Sequence, residues 1–389
     1  MLDLTTLSSK TKSDVTLRPP LMYRPKTRML FLSIVPMLRM AIKKPLNAQG
    51  IQADPTMPDL ETMARYKLHH TSAGFQNPWI KTQRSNTAKP ASFIQHKSKW
   101  TPKQKVSAIP PMTAELAPHD FNQAQGPAIC FLGHSTVWIK ISGINILTDP
   151  VLGSIPPFFP RLQPVACDPR HLPQMDVILI SHAHRDHLDI PSLRRIVQPK
   201  QYIVPLRCGG IIRHRIRNNI QELDWFQKSM VGDIKITCLP IQHWSKRSVR
   251  DTNKSLWASW LIESDQYKIF FAGDTAYFPY FKEIGAKFGP IDLALLPIGA
   301  FEPKWLMETV HMNPYDSVKA ALDLRARKIV PIHWGTFDLG DEPIDVPPKL
   351  FRNACNEANI PEEDSPILRP GGIWRFKQGP PDRSHRYII

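Results

Sequence analysis

The segment Ser181-His182-Ala183-His184-Arg185-Asp186-His187 constrains this chain more than any other. It follows directly on DVILIS (176–181), a continuous apolar run that reads as a buried strand. Three imidazoles and a carboxylate are thus presented within six residues, on the turn leaving a strand end. A lone buried histidine needs only a hydrogen-bond partner, which ordinary packing supplies. Four such side chains crowded at one strand end are hard to explain by core packing. Imidazole and carboxylate are the ligand types of catalytic zinc sites, where one position stays open to water. The segment therefore reads as the first part of a metal site.

Further ligand types follow in order. Gln242-His243-Trp244 comes after a strand-like run, DIKITC (233–238). Phe271-Ala272-Gly273-Asp274-Thr275 ends KIFFAG (268–273) with an acid, and Ile332-His333-Trp334-Gly335 ends KIVPI (328–332). AICFLG (128–133), TVWIKI (136–141) and INILT (144–148) read as an antiparallel meander punctuated by Gly133, Ser142 and Gly143. Strands are also expected at 201–204, 256–262 and 292–297. Helical patterns fit 191–197, 315–326 and 349–359, and Asn313-Pro314 supplies a helix start. Two β-rich halves with helices outside predict an α/β chain, an αββα four-layer sandwich. Asp149, which ends the third strand in LTDP, has two readings: orienting a ligand histidine, or capping a turn beside Pro150.

The first third of the chain differs in kind. Residues 1–120 carry 18 Lys and Arg against 7 Asp and Glu, and hold 13 of the 39 prolines. Residues 1–60 are expected to be a basic, largely disordered or membrane-interacting extension. Residues 61–120 are expected to wrap the core irregularly through Phe75, Trp79 and Trp100, leaving 121–389 as the catalytic domain. The apolar run Met29 to Ile42 is broken by Pro36 and Arg39 and is too short to span a bilayer comfortably. An interfacial anchor, a targeting segment and a patch docked on the main domain all remain open for it. A mean hydropathy of −0.28 excludes a polytopic membrane protein. The five cysteines are odd in number and form no CxxC pair, which disfavours a disulfide framework or a cysteine–zinc site and favours a reducing compartment.

The HxHxDH pattern with its ordered downstream segments resembles the metallo-β-lactamase superfamily. That resemblance implies two zinc ions: His182, His184 and His243 would hold one, Asp186, His187 and His333 the other, with Asp274 bridging. Iron or manganese at one site stays open, since these ligands accept several ions. The wider pattern resembles the N-acyl-phosphatidylethanolamine-hydrolysing phospholipase D family. It is carried by FQNPW (75–79), LGHSTV (132–137), LTDPVL (147–152), ELDW (222–225), QHWSKRS (242–248), DTNKSLWASW (251–260), the run from Phe270 to Trp305 and IHWGTF (332–337). The resemblance implies hydrolysis of N-acyl-phosphatidylethanolamine to phosphatidic acid and an N-acylethanolamine by attack of a metal-bridging hydroxide on phosphorus. It also implies an active-site role for His311, in contact with the phosphate or protonating the leaving oxygen, and catalytic roles for Asp274 and Asp186.

Lys246 and Arg247 are candidate headgroup contacts, against the reading of plain surface charge. Arg185 departs from the family pattern, which has an aromatic there in animal members, and adds positive charge beside the site. The expected partners are a phospholipid and a membrane surface, not nucleic acid, with a homodimer implied by resemblance. The expected location is intracellular and peripheral to a membrane, in the cytoplasm or an organelle such as the mitochondrion. A nuclease, a sugar-ester or lactone hydrolase, and a non-catalytic lipid scaffold are the competing readings.

Overall fold

The computed structural model describes residues 57–80, 121–122, 126–155, 159–216 and 219–376. The expectations for most of residues 1–60, for the run 29–42 and for Trp100 lie outside the described residues. The strands are β1 (Ala128–Gly133), β2 (Thr136–Ile141), β3 (Ile144–Thr148), β4 (Val177–Leu179), β5 (Gln201–Pro205), β6 (Ile220–Leu223) and β7 (Lys228–Val231). They continue with β8 (Ile234–Leu239), β9 (Ser259–Glu263), β10 (Lys268–Phe271), β11 (Leu293–Pro297), β12 (Ile329–Ile332) and β13 (Gly372–Arg375). The helices are α1 (Leu60–Arg65), α2 (Ile190–Arg195), α3 (Gly209–Arg213), α4 (Phe281–Phe288), α5 (Lys304–Met307), α6 (Pro314–Asp323) and α7 (Val346–Glu357).

Two sheets form, in the orders β13-β1-β2-β3-β4-β5-β6 and β12-β11-β10-β9-β8-β7. Alternation along β1 and β2 separates two cores, as a period of two requires. Ile129, Phe131, Val137 and Ile139 enter one apolar cluster with Ile236 and Trp260 of the second sheet. Ala128, Cys130, Leu132 and Trp138 enter another, together with Leu193 of α2 and Ile212 of α3. The first cluster continues through the second sheet to Ile284 of α4, Val318 of α6 and Phe351 of α7. The layers thus run helix, sheet, sheet, helix, as the sequence predicts. α6 starts where Asn313-Pro314 predicts: the Asn313 side chain accepts from the amides of Tyr315 and Asp316.

The structure corrects some element boundaries. The strand expected over 256–262 begins only at Ser259. Before it, Leu256 donates its amide to Leu206 O and Ala258 donates to Ser181 O. Those buried backbone groups therefore join loops of the two sheets instead of a strand ladder. Strands β6, β7 and β13 were not expected, and all three lie at sheet edges. All three are partly exposed along their length and so lack the continuous apolar run that marks a buried strand, which the fourth edge strand, β12, does carry.

β3, β4, β5 and β6 pair in parallel, as do β10, β11 and β12. The loops leaving the carboxyl ends of β3 and β4 therefore open on one edge of the first sheet. Those leaving β10 and β12 open on one edge of the second. The carboxyl ends of strands in open α/β sheets are where ligands bind.

Candidate metal centre

The predicted ligand residues come together at these loop ends. His182, His184 and His243 offer ligand atoms to one point, and His134, Asp186, His187 and His333 to another. In the first group, His184 Nδ1 lies 2.8 Å from His182 Nε2 and 3.2 Å from His243 Nε2. In the second, Asp186 Oδ2 lies 3.3 Å from His134 Nε2, 3.4 Å from His187 Nε2 and 3.7 Å from His333 Nε2.

Asp274 lies between the two groups. Its Oδ2 is 3.0 Å from His187 Nε2, and its Oδ1 is 3.1 Å from His333 Nε2. The same Oδ2 stands 4.0 Å from His182 Nε2, 3.9 Å from His243 Nε2 and 3.9 Å from His311 Nδ1.

These residues fit a divalent cation on an observation independent of their type. His184 Nε2, His187 Nε2, Asp274 Oδ1, His311 Nδ1 and both ring nitrogens of His333 are buried without a hydrogen-bond partner. Each unpaired buried polar group costs about 1–3 kcal/mol, so several in one pocket imply a compensating ligand. Burial pushes His184 down to about 4 and His243 to about 3, which keeps both rings in the neutral form that binds metal. Burial alone would raise Asp274, but His187 and His333 hold it well below the usual carboxylate range.

The rings are aimed from behind. Asp149 is fully buried and accepts Ser181 N–H at 2.7 Å and Ser181 O–H at 2.5 Å. Its Oδ2 also lies 2.7 Å from His187 Nδ1, while Ser181 Oγ lies 2.9 Å from His182 Nδ1. Both histidines thus spend Nδ1–H on this buried network, leaving Nε2 turned into the centre. Of the two readings of Asp149, the structure selects the one in which it orients a histidine. His243 Nδ1 donates likewise to Val310 O at 2.8 Å.

The candidate headgroup residues are placed differently from one another. Arg185 is exposed, and its Nη2 approaches Arg247 O at 3.4 Å. Lys246 is half-buried. Arg247 turns inward, its Nη1 donating to Ala183 O at 2.8 Å and Leu188 O at 2.7 Å. Its guanidinium braces the histidine loop, and burial pushes it down to about 10.

Two residues of this region were not singled out in the sequence. His134 follows β1, and its amide donates to Thr336 Oγ1 at 2.7 Å while its carbonyl accepts from His333 N at 2.7 Å. Its signal was present in LGHSTV, a histidine just past a strand-like run, the pattern that marks His243 and His333. Glu342 is buried and accepts the amides of Ala300, Phe301 and Glu302, which fixes the loop after β11. Burial pushes its carboxyl up to about 7. No local pattern announces it.

Residues 144–334 match the family model described as beta-lactamase superfamily domain. An uncharacterized protein of Mycobacterium tuberculosis is 39% identical over 247 residues, 60% of this chain and 65% of that protein. The chain therefore spans just under two thirds of that relative. The N-acyl-phosphatidylethanolamine-hydrolyzing phospholipase D 1 of Caenorhabditis elegans is 35% identical over 275 residues, 66% of this chain and 77% of that protein. Among solved structures, a metallo hydrolase from the archaeon Ignicoccus hospitalis superposes with a TM-score of 0.50 at 21% identity, over 64% of this chain and 99% of that one.

Proposed function

We propose that this chain, which belongs to the metallo-β-lactamase superfamily, is a metal-dependent hydrolase whose substrate is the phosphodiester of N-acyl-phosphatidylethanolamine. Water adds to phosphorus, the bond from phosphorus to the ethanolamine oxygen breaks, and phosphatidic acid and N-acylethanolamine leave. The observation that carries this substrate is the 35% identity over 275 residues to the Caenorhabditis elegans enzyme of that name.

We assign two zinc ions to the centre, one to His182, His184 and His243 and one to Asp186, His187 and His333, with Asp274 shared. When bound, such ions supply Lewis acidity toward a phosphoryl oxygen and lower the pKa of water. The protein supplies the rest. Asp149 and Val310 O fix the ring orientations, so the site is preorganised before substrate arrives. His311 stands at the same pocket with its side chain 13% exposed, and burial holds its ring neutral. A neutral imidazole there can donate N–H to a phosphoryl oxygen or to the departing ethanolamine oxygen.

The test is incubation of the zinc-loaded chain with N-acyl-phosphatidylethanolamine in detergent, with products read by mass spectrometry. Phosphatidic acid with N-acylethanolamine is expected. Intact substrate in the presence of two bound equivalents of zinc would sink this substrate and leave the hydrolase fold. His311→Ala should retain both equivalents and lose about 10²–10⁴-fold in turnover. Undiminished turnover would remove His311 from the active site.

The same reading makes the chain a peripheral, intracellular membrane protein, and we propose that it works as a homodimer. Its support is the sequence: most of the net charge of +16 lies in residues 1–120, and each basic residue near an anionic bilayer contributes about 1 kcal/mol. The full chain should therefore sediment with phosphatidylserine vesicles at low salt and be released at high salt. Equal recovery with neutral and anionic vesicles would refute an electrostatic attachment.

A further inference from the structure

The backbone of Gln242 and His243 is a junction of the centre. Gln242 N donates to Thr275 Oγ1 at 3.1 Å, next to Asp274, and Ala276 N donates to Gln242 O at 2.9 Å. Gln242 Nε2 donates to Thr309 O at 3.1 Å, and His243 Nδ1 to Val310 O at 2.8 Å, just before His311. Three functional side chains therefore depend on where this dipeptide sits.

What holds its other side comes from far away in the sequence. Asn77 Nδ2 donates to His243 O at 2.8 Å, and Asn77 Oδ1 accepts from Trp257 Nε1 at 3.0 Å. Trp79 Nε1 donates to Gln242 Oε1 at 3.0 Å. The Trp79 ring stacks against Phe278 and Trp225, with centroids 5.1 and 5.6 Å away. We propose that residues 57–80 form a positioning strap, in which Asn77 and Trp79 set the place of His243 and, through Gln242, of the His311 loop. This rests on the reading of His243 as a metal ligand.

The strap is fastened at its middle. His69 Nε2 and His70 Nε2 lie 2.7 and 2.8 Å from the two oxygens of Asp224, and Trp225 N donates to Asp224 Oδ1 at 2.9 Å. Phe75 N donates to Asn253 O at 2.8 Å. The trio His69, His70 and Asp224 has the composition of a metal site, but its hydrogen bonding distinguishes it from the centre. In the centre, the Nε2 atoms of His184, His187 and His333 are buried with no hydrogen-bond partner. In the trio both Nε2 atoms are already engaged on the carboxylate, and the unpartnered atom is His69 Nδ1, across the ring. A metal at His69 Nε2 would leave that Nδ1–H a buried, unpaired donor. The trio is a clamp that holds the strap in register with Asn77 and Trp79.

Trp79→Phe keeps an aromatic ring for stacking and deletes the N–H to Gln242. Asn77→Asp keeps the acceptor for Trp257 and deletes the donor to His243 O. Each full-length variant, beside wild type and His243→Ala, is loaded with cobalt(II). The visible absorption of the bound ion and its affinity by chelator competition are then measured, with thermal midpoints as a check on folding. Both strap variants should alter the absorption and weaken one of the two equivalents about 10-fold, in the range found when a ligand's supporting contact is lost. Wild-type absorption and affinity in both, with that equivalent lost in His243→Ala, would overturn the strap while keeping His243 as a ligand. A lowered thermal midpoint with unchanged absorption would reduce the strap to a packing element and also overturn it. If His243→Ala itself bound cobalt as wild type does, the ligand reading would fail, and the strap with it.

Discussion

Asp274→Asn is expected to abolish measurable hydrolysis, with a loss of at least about 10³-fold, and to leave the chain folded but poor in metal. The residue is 1% exposed, and its carboxylate reaches the Nε2 atoms of both histidine groups. The neutral amide keeps one oxygen and turns an N–H₂ donor toward His187 or His333. Coordination at that position needs a lone pair, which the amide nitrogen lacks. The substitution also removes, beside Asp186, a carboxylate whose negative charge would offset divalent cations bound among the imidazoles. The fold should survive because the apolar clusters on both faces of the sheets do not include Asp274. Metal content by mass spectrometry, turnover and a thermal melt separate these effects. A variant that holds two equivalents and turns over normally would place the active centre elsewhere.

How much of this was legible depends on where the information resides. The residues of His182–His187, His243, Asp274 and His333 each stand just past an apolar run. Such runs are read from sequence because central strands bury both faces. A strand end followed by a ligand type therefore predicts both the element and the edge on which its loop opens. His134 obeys the same rule, standing just past β1 and upstream of the histidine-rich segment.

Other features depend on contacts that no local pattern records. The apolar run Leu256, Trp257 and Ala258 reads as strand, yet the amides of Leu256 and Ala258 bond to loops of the opposite sheet. Arg247 looks like a surface cation from its neighbours in sequence, and only the folded histidine loop shows what its guanidinium holds. Helix α4 buries Phe281, Ile284 and Gly285 on one face, yet a glycine within it and Gly289 at its end weaken the helical signal in the sequence. Gly285 is there for closeness: a Cβ would fall 2.0 Å from Asp323 O of α6. Asn77 was visible only as part of FQNPW, with nothing to say that its amide reaches a residue 166 positions away.

Gly273→Ala should damage both stability and the metal centre, although Gly273 is no ligand. Gly273 has φ +63, in the left-handed region that costs an L-residue about 1–2 kcal/mol. A Cβ there would fall 2.4 Å from Ser181 Cβ and 2.7 Å from Ser181 Oγ. Ser181 has little freedom to retreat. Its N–H and O–H are both committed to Asp149, and its carbonyl accepts from Ala258 N. Overpacking a filled interior adds about 1–3 kcal/mol. The sum, about 2–5 kcal/mol, should lower the thermal midpoint by on the order of 10 °C in a domain of this size. The displacement falls on the residue that links Asp149 to His182 and on the backbone preceding Asp274, so metal affinity should drop in the same variant. Gly143→Ala is the matched control: its φ is +75, and a Cβ there meets nothing within 4 Å. It carries the backbone strain alone, about 1–2 kcal/mol, and should leave metal binding intact. If the two variants melt together and bind metal equally, the close approach of Gly273 to Ser181 does not position the centre, and conformational strain alone explains the glycine.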